Sequence, residues 1–526
     1  MRRSHSSSSH RAPKKSPKRT LTSLPNGNKE LVLQPNNSQY KPVELLNEGA
    51  YGKVYKVIAP DGKVFAQKVY TRLPDANEID ILTRFVHPNL LHAVEVFFDG
   101  KMLNVILPYA HTDLLNDLNK NSSYSFAKAL QFSYDILSAL HFMNASGYFH
   151  CDLKHENVMI DDTGKFILVD FGLSFLSEIQ HPTTICGTDT YGSPQIMFNM
   201  IPKTSSKWGR IPHEIRDEIP NRFQSDIYAF GVMLYECLIE DKLIDTDSQD
   251  RSEKMYQQLA AGHVRAERKI ESAIAQSVDA NVQKLLKVAL KCCALSQKNR
   301  YKTVIEILQE PVFANRGLSQ PIPGRVTNVD FRAVKYDTFA RNPEIPYKES
   351  MRNMLISMIY ICGKLLPLRP LQVLPQAFQL MYRFSPFIKR KSELVLYGLA
   401  AIWIAQNVLN GTRTFGLKEM SSIASEATLT YVINKCIGAM GGVIWTESIN
   451  EVSDNAVAVC WYLAQVVNDI NYIRRPPRFV LDDFSKQFGT ETVIRVGDVR
   501  GVECPPDRIF MKLYDSNKKK LMEIEV

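Results

Sequence analysis

The sequence predicts an α+β chain in which a small sheet-rich part precedes a larger helical part, with a second, all-helical block behind them. Three observations carry this reading. Apolar and polar residues alternate from Val43 to Tyr70, the period of strands. From Phe126 onward apolar residues recur at i, i+3 and i+4, the period of helices. A Pro-punctuated stretch then separates the first helices from a further set that starts near residue 349. With 526 residues and 45% hydrophobic content, the chain can fill several cores of ordinary size.

The first 38 residues carry no such periodicity. Seven cations (Arg2, Arg3, Arg11, Lys14, Lys15, Lys18, Arg19) fall in the first twenty positions with no acid among them, so most of the net charge of +9 belongs here. Rich in Ser and Pro, residues 1–38 cannot bury enough surface to offset their ordering entropy and read as a disordered basic tail. A solvated tail is the plain reading. A nuclear-import or nucleic-acid patch, or phosphorylation at Ser16-Pro17, are the alternatives, and no other nucleic-acid contact is expected. The basic residues are not followed by the apolar run of a secretory signal. Nine scattered cysteines, without paired spacing or a nearby His cluster, point to a reducing compartment and no structural zinc. The segment "ELVLYGLAAIWIAQNVLN" from Glu393 ends in Gln406, Asn407 and Asn410 and is too short an apolar run for a bilayer, so it is expected to be a buried helix. These features together predict an intracellular protein, cytoplasmic or nuclear, without membrane contact.

The elements follow in order. "VELLNEGAYGKVYKVIAPDGKVFAQKVY" reads as three strands around a Gly-rich turn and a Pro-Asp-Gly turn. "DANEIDILTRFV" reads as a helix capped by Asp75 or Asn77, with Ile79, Leu82, Phe85 and Val86 on one face. Strands "LLHAVEVFFDG" and "MLNVILPYA" follow, then helices from "SFAKALQFSYDILSALHFMNASG" to "TVIEILQE", where Pro311 ends the pattern. The domain boundaries expected are 40–312 for the first folded unit, 313–348 for a linker, 349–475 for the helical block and 476–526 for a short β-like tail. Five helices are expected in the block between 349 and about 450, the third apolar nearly all round.

Chemistry concentrates at four places. "NEGAYGKV" sets Gly49 and Gly52 between strands, where glycines let backbone N–H groups close over phosphates. Lys68 ends the apolar "VFAQK" sixteen residues after Gly52, and Glu78 on the following helix can hold it. "YFHCDLKHENVMI" supplies Asp152 to orient a hydroxyl, Lys154 to meet transferred charge and Asn157 to bind metal. Thirteen residues beyond Asn157, "FILVDFGLS" ends a strand on Asp170, a hard ligand suited to Mg²⁺. Each piece has a bland explanation alone: a hairpin glycine, a solvated strand-end lysine. Phosphoryl transfer needs phosphates held by backbone, a cation, metal ligands and a group that orients the hydroxyl, and here all four occur in order.

That order resembles the protein kinases over roughly residues 40 to 312, with "FAQK", "NEIDIL" with "HPNLL", "HCDLKHEN", "DFG", "CGTDTYGSPQ", "SDIYAFG" and "KNRYKTVIEIL" as the matching motifs. The resemblance implies a bilobal fold, ATP and Mg²⁺ as cofactors and a protein substrate. It implies Asp152, Lys154, Lys68 and Glu78 as catalytic residues and Asn157 and Asp170 as metal ligands. Nucleotide contacts are implied at Asn47, Glu48, Gly49, Ala50, Tyr51, Gly52, Val54, Ala66, Lys68, Leu107, Tyr109 and His111, and Asp226 as a brace for the catalytic loop. Lys154 and Thr188 are similar to their counterparts in Ser/Thr kinases, and Thr184 lies where an activating phosphate sits in relatives. "LPYAHTDLL" resembles the hinge of cyclin-dependent kinases, with Leu107 as gatekeeper.

Departures are as informative. Asn47 stands for the first glycine of the loop, and Cys151 for the Arg that pairs with a phosphorylated activation segment. Gln195 stands for the Glu that forms a buried ion pair with the Arg at position 300, so a neutral hydrogen bond is expected there. Lys68 to Glu78 spans ten residues, which requires a trimmed helix or loop. "MIPKTSSKWGRIPHEIRDEIPNRF" looks like an insertion. The second block resembles the cyclin box, although Gln406 and Asn434 stand where a Lys and a Glu are usual. Together these imply a kinase activated in cis by an intramolecular contact with its cyclin-like domain. The alternative is a pseudokinase or scaffold, against which the presence of Lys68, Asp152, Asn157 and Asp170 together argues.

Overall fold

A computed structural model of the chain describes residues 39–49, 52–176, 190–199, 215, 218–245, 253–326, 345–365, 370–410, 417–421 and 423–444. The basic tail, Ala50, Tyr51, Thr184, Thr188, most of the insertion and the expected β-like tail lie outside the described residues.

The alternating stretch folds as β1 (Lys41–Gly49), β2 (Gly52–Ile58) and β3 (Val64–Tyr70). With β5 (Glu95–Phe98) and β6 (Leu103–Pro108) they form an antiparallel sheet in the order β1-β2-β3-β6-β5. Gly52 is required by close approach, because a Cβ there would lie 2.1 Å from the Val69 carbonyl oxygen on β3.

Between β3 and β5 runs α1 (Ala76–Arg84), only nine residues long. Asp75 caps it, its side chain accepting from the Asn77 N–H at 3.0 Å. The helix stops two residues earlier than its apolar face suggests: Phe85 and Val86 leave it to form β4 (Phe85–Val86). Every residue of α1 is buried, Asn77, Asp80, Thr83 and Arg84 included. A nine-residue helix is marginal alone, so packing on all sides supplies its stability. One side is welded to the second lobe. Arg84 donates through Nε and Nη2 to both Asp80 oxygens at 2.6 Å, and the Tyr148 hydroxyl donates to Asp80 at 3.0 Å.

The second lobe comprises β7 (Thr112–Asp113), α2 (Leu114–Asn121), α3 (Phe126–Ala145), β8 (Tyr148–Phe149), β9 (Val158–Ile160), β10 (Phe166–Leu168), β11 (Phe175–Leu176), α4 (Pro194–Asn199), α5 (Arg222–Leu238), α6 (Glu253–Gln276), α7 (Ala280–Cys292), α8 (Val304–Leu308) and α9 (Pro311–Ala314). Its axis is α5, buried along nearly its whole length and packed on α3 and α7. The stretch expected as a linker departs from that expectation at its start. Arg325–Val326 forms β12 and pairs antiparallel with β4.

The helical block contains α10 (Lys348–Leu365), α11 (Pro370–Phe384), α12 (Leu394–Asn410) and α13 (Glu426–Ala439). The expected fourth helix, "GLKEMSSIAS", is instead a single 3-10 turn at Leu417–Met420. The apolar α12 is the centre, with the other three helices packed on it. No helix among the described residues is long and apolar enough to cross a membrane. Gln406 and Asn434 are both buried in this block. The block lies against the first lobe: α12 packs on α1, and α13 on β5 and β6. At Gly438 the approach is so close that a Cβ would lie 2.5 Å from the Phe98 backbone nitrogen. Thr83 Oγ1 donates to the Gly442 carbonyl at 3.3 Å.

Behind β4, His87 is fixed as a neutral ring. Its Nδ1 accepts from the Asn89 N–H at 3.0 Å, so Nε2 carries the hydrogen and donates to the Ile322 carbonyl at 3.0 Å. Burial pushes His87 down to about 4, below the ordinary value of 6.5. The unfolded chain therefore binds the extra proton between these values, and stability held above pH 6.5 is lost as pH falls toward 4. Urea unfolding at about pH 7 and about pH 4.5 should show a smaller stability difference in His87→Gln than in the parent; equal differences would contradict this.

Candidate active site

Residues that face each other across neighbouring strands share one face of the sheet. Asn47 lies opposite Val54, Val54 opposite Lys68, and Ala66 opposite Leu107. One face of the first lobe therefore carries Asn47, Val54, Ala66, Lys68 and Leu107 together. Gly49 and Gly52 close the β1–β2 turn above it. Glu48 instead pairs with Lys53 at 3.0 Å, both well exposed. Beyond the sheet, Tyr109 lies under the Lys56 ammonium at 4.8 Å, and His111 contacts Asp162 at 3.0 Å.

Lys68 Nζ contacts Glu78 Oε1 at 2.5 Å. Glu78 is almost fully buried, and this contact is what replaces the water it has lost. Across the cleft, Lys154 Nζ donates to Asp152 Oδ2 at 2.8 Å. Asn157 Nδ2 donates to the Asp152 carbonyl at 2.8 Å and to Asp152 Oδ2 at 3.1 Å. Asp170 is exposed and follows β10; Gly172 beside it borders both Asp170 Oδ1 and Glu78 Oε2. The structure thus brings Lys68, Glu78 and Asp170 to one side of the cleft, and groups Asp152, Lys154 and Asn157 on a single loop.

This loop is held by α5. Asp226 accepts from the backbone N–H groups of His150 and Cys151, both at 2.9 Å. Burial pushes the Asp226 carboxyl up, while the two N–H groups work against that shift. Cys151 has φ of 66° and Asp170 φ of 62°, the left-handed region that costs non-glycine residues roughly 1–3 kcal/mol. His150 ties the two strained points together. Its Nε2 faces the Val169 carbonyl at 3.1 Å, its Nδ1 accepts from the Asp152 N–H at 3.3 Å, and its ring meets Phe171 edge-on.

Asn157 and Asp170 fit a Mg²⁺ ion by their donor chemistry. The Asn157 amide spends its nitrogen on Asp152, which leaves its oxygen for a metal, and Asp170 offers a solvent-accessible carboxylate. No cluster of three His, Cys, Asp or Glu occurs among the described residues. Mg²⁺ does not need one, because it commonly takes one or two protein ligands with substrate phosphates and water.

Sequence reasoning missed Glu218, the carboxylate behind Gln195. Arg300, buried, donates from Nη2 to the neutral Gln195 Oε1 at 2.7 Å, a hydrogen bond in place of an ion pair. Gln195 Nε2 in turn donates to Glu218 Oε2 at 2.7 Å and to the Leu295 carbonyl at 2.8 Å. Glu218 also accepts from Ser296 Oγ at 2.5 Å and from the Gln297 N–H at 3.1 Å. The carboxylate lies one hydrogen bond beyond Gln195, at the root of the insertion. Burial pushes Arg300 down to about 10. The signal was the Gln itself: an amide at this position needs an acceptor for its N–H. A second omission is the contact of His155 Nδ1 with the Tyr191 hydroxyl at 2.8 Å, which ties the catalytic loop to the segment before α4.

Comparison with known proteins agrees with this geometry. The family model "Protein kinase domain" matches residues 40–313. NUAK family SNF1-like kinase 2 of Rattus norvegicus is 32% identical over 170 residues, covering 30% of this chain and 27% of that protein. Serine/threonine-protein kinase PLK4 of Xenopus laevis is 27% identical over 225 residues, covering 40% of this chain and 22% of that protein. The RAC family serine/threonine-protein kinase homolog of Dictyostelium discoideum is 27% identical over 234 residues, 40% of this chain and 48% of that protein. The chain therefore spans about a quarter of the length of the first of these relatives.

Charge exchange tests the relay. Gln195→Glu sets two carboxylates side by side and Glu218→Gln removes the buried anion; each should cost about 1–3 kcal/mol in denaturant unfolding. The double variant Gln195→Glu, Glu218→Gln moves the charge back to Arg300 and should recover most of that loss; additive losses would contradict the relay.

A matching family model over residues 40–313, on a two-lobed fold with this cleft, places the chain in the protein kinase family, whose members use ATP with Mg²⁺.

Proposed function

We propose that this chain is a Mg²⁺- and ATP-dependent protein serine/threonine kinase whose helical block, read as cyclin-like, holds α1 in its working position in cis. The observation that carries the reading is the Lys68–Glu78 contact at 2.5 Å in a chain whose own α12 packs on α1. In a separate regulator the same service would depend on concentration; a tethered one acts at high effective concentration.

Bound Mg²⁺–ATP supplies the phosphoryl group and neutralises part of its charge. Lys68, held by Glu78, would offer its ammonium to the α- and β-phosphates, and Asn157 and Asp170 would hold the metal. Val54, Ala66 and Leu107 would give the adenine an apolar slot, with the backbone from Tyr109 to His111 as its polar edge. Asp152 orients the substrate hydroxyl and accepts its proton at Oδ1 or Oδ2. Lys154, donating to Oδ2, stays beside the charge that shifts toward the hydroxyl oxygen. Asn157 keeps the Asp152 carboxylate from rotating by binding its carbonyl and Oδ2. The relatives PLK4 and the RAC homolog, both named serine/threonine-protein kinases, support the substrate class, as do Lys154 and Thr188. Cys151 stands where relatives carry the arginine that pairs with an activating phosphate, which favours the helical block over phosphorylation as the switch.

Transfer of labelled γ-phosphate to a generic basic protein tests both halves. Asp152→Asn and Asp170→Asn should each lose about a hundredfold or more. Gly438→Leu, which wedges α13 from β5, should lose about tenfold or more while both catalytic loops are intact. Equal transfer by parent and the two Asp variants would refute the kinase reading; full activity in Gly438→Leu would refute the cis role.

A further inference from the structure

The residues that follow α9 do not leave the kinase domain directly. The Tyr134 hydroxyl donates to the Gln320 carbonyl at 2.9 Å, and the Ile322 N–H donates to Ser138 Oγ at 3.1 Å, which fastens the segment along α3. The Ile322 carbonyl accepts from His87 Nε2, just past β4. Gly324 then lies on the Phe142 ring so closely that a Cβ would sit 2.6 Å from it. Finally Arg325 and Val326 pair with Val86 and Phe85.

These contacts converge on α1. The Phe142 ring meets Phe85 edge-on at 5.4 Å and stacks on His87 at 5.4 Å. Phe85 meets Tyr148 edge-on at 5.2 Å, and the Tyr148 hydroxyl donates to Asp80, two residues beyond Glu78. A continuous run of rings and hydrogen bonds therefore joins the segment to the helix that carries the nucleotide lysine's partner.

We propose that residues 318–326 are a positioning strap. Anchored on α3, they fix the depth and angle of α1 from its C-terminal end, and so set Glu78 against Lys68. The inference rests on the kinase reading for its effect on activity, but its structural core does not. Because the strap also begins the connection to the helical block, it aligns α1 on one side while α12 covers it on another. It acts through Glu78 and touches no substrate.

The test uses the full chain. Gly324→Val pushes the strap off Phe142; kcat per nucleotide site, titrated with fluorescent ADP, is measured in the parent and in Glu78→Gln, together with hydrogen exchange of the α1 amides. The strap predicts at least about a tenfold fall in kcat in the parent background, less than about twofold in Glu78→Gln, and faster exchange in α1 with α5 unchanged. Equal losses in both backgrounds, or unchanged α1 exchange, would overturn it. If Gly324→Val does not fold, Tyr134→Phe with Ser138→Ala removes two anchors without added bulk and carries the same expectations. A parent chain that binds ADP and transfers no phosphate, with α1 exchange still responding to the strap, would sink the kinase reading and leave the strap standing.

Discussion

The burial of α1 on every side is the constraint on which the rest of the molecule depends. Nine residues make too short a helix to persist by its own hydrogen bonds, and it carries a carboxyl group that needs a partner because it is almost fully enclosed. Lys68 satisfies Glu78 from the sheet; Arg84 and Tyr148 satisfy Asp80 from within and from the second lobe. Five residues separate the end of β3 from the start of α1, so the chain has little slack with which to move the helix outward. Where most of the surface of a helix is covered, its position is set by whatever covers it. Here the covers are the five-stranded sheet, the second lobe and the helical block, with β12 pairing on β4 just beyond the helix.

The same economy appears in the second lobe, where charge is displaced rather than lost. A carboxylate absent at position 195 reappears at Glu218, one hydrogen bond further from Arg300. The loop around Asp152 has Cys151 where an arginine is usual yet keeps its strained geometry, because Asp226 takes the backbone N–H groups of His150 and Cys151. Strain at Cys151 and Asp170 is thus sustained by α5 and by His150, both buried.

Much of the cleft was legible in the sequence because its chemistry depends on order and spacing: a lysine at a strand end, a carboxylate after a strand, an amide five residues past an aspartate. The kinase resemblance named Asn47, Val54, Ala66 and Lys68 as nucleotide contacts, and it is the strand register that sets them on one face. What was not legible depends on contacts distant along the chain. The Phe85–Val86 end of α1 reads as helix by its apolar spacing, and only its pairing partner 240 residues on, Arg325–Val326, makes it a strand. Glu218 could not be chosen among the several acids of the insertion without knowing which one meets Gln195. The 3-10 turn at Leu417–Met420 looked like a helix because four residues of helical period fit either form.

The central claim is that α1 is held in its working position by the chain itself, and amide hydrogen exchange of residues 76–84 in the full-length, nucleotide-free, unphosphorylated protein tests it most directly. The account predicts protection in α1 comparable to that of the buried α3. Exchange in α1 as fast as in solvent-exposed turns would contradict it.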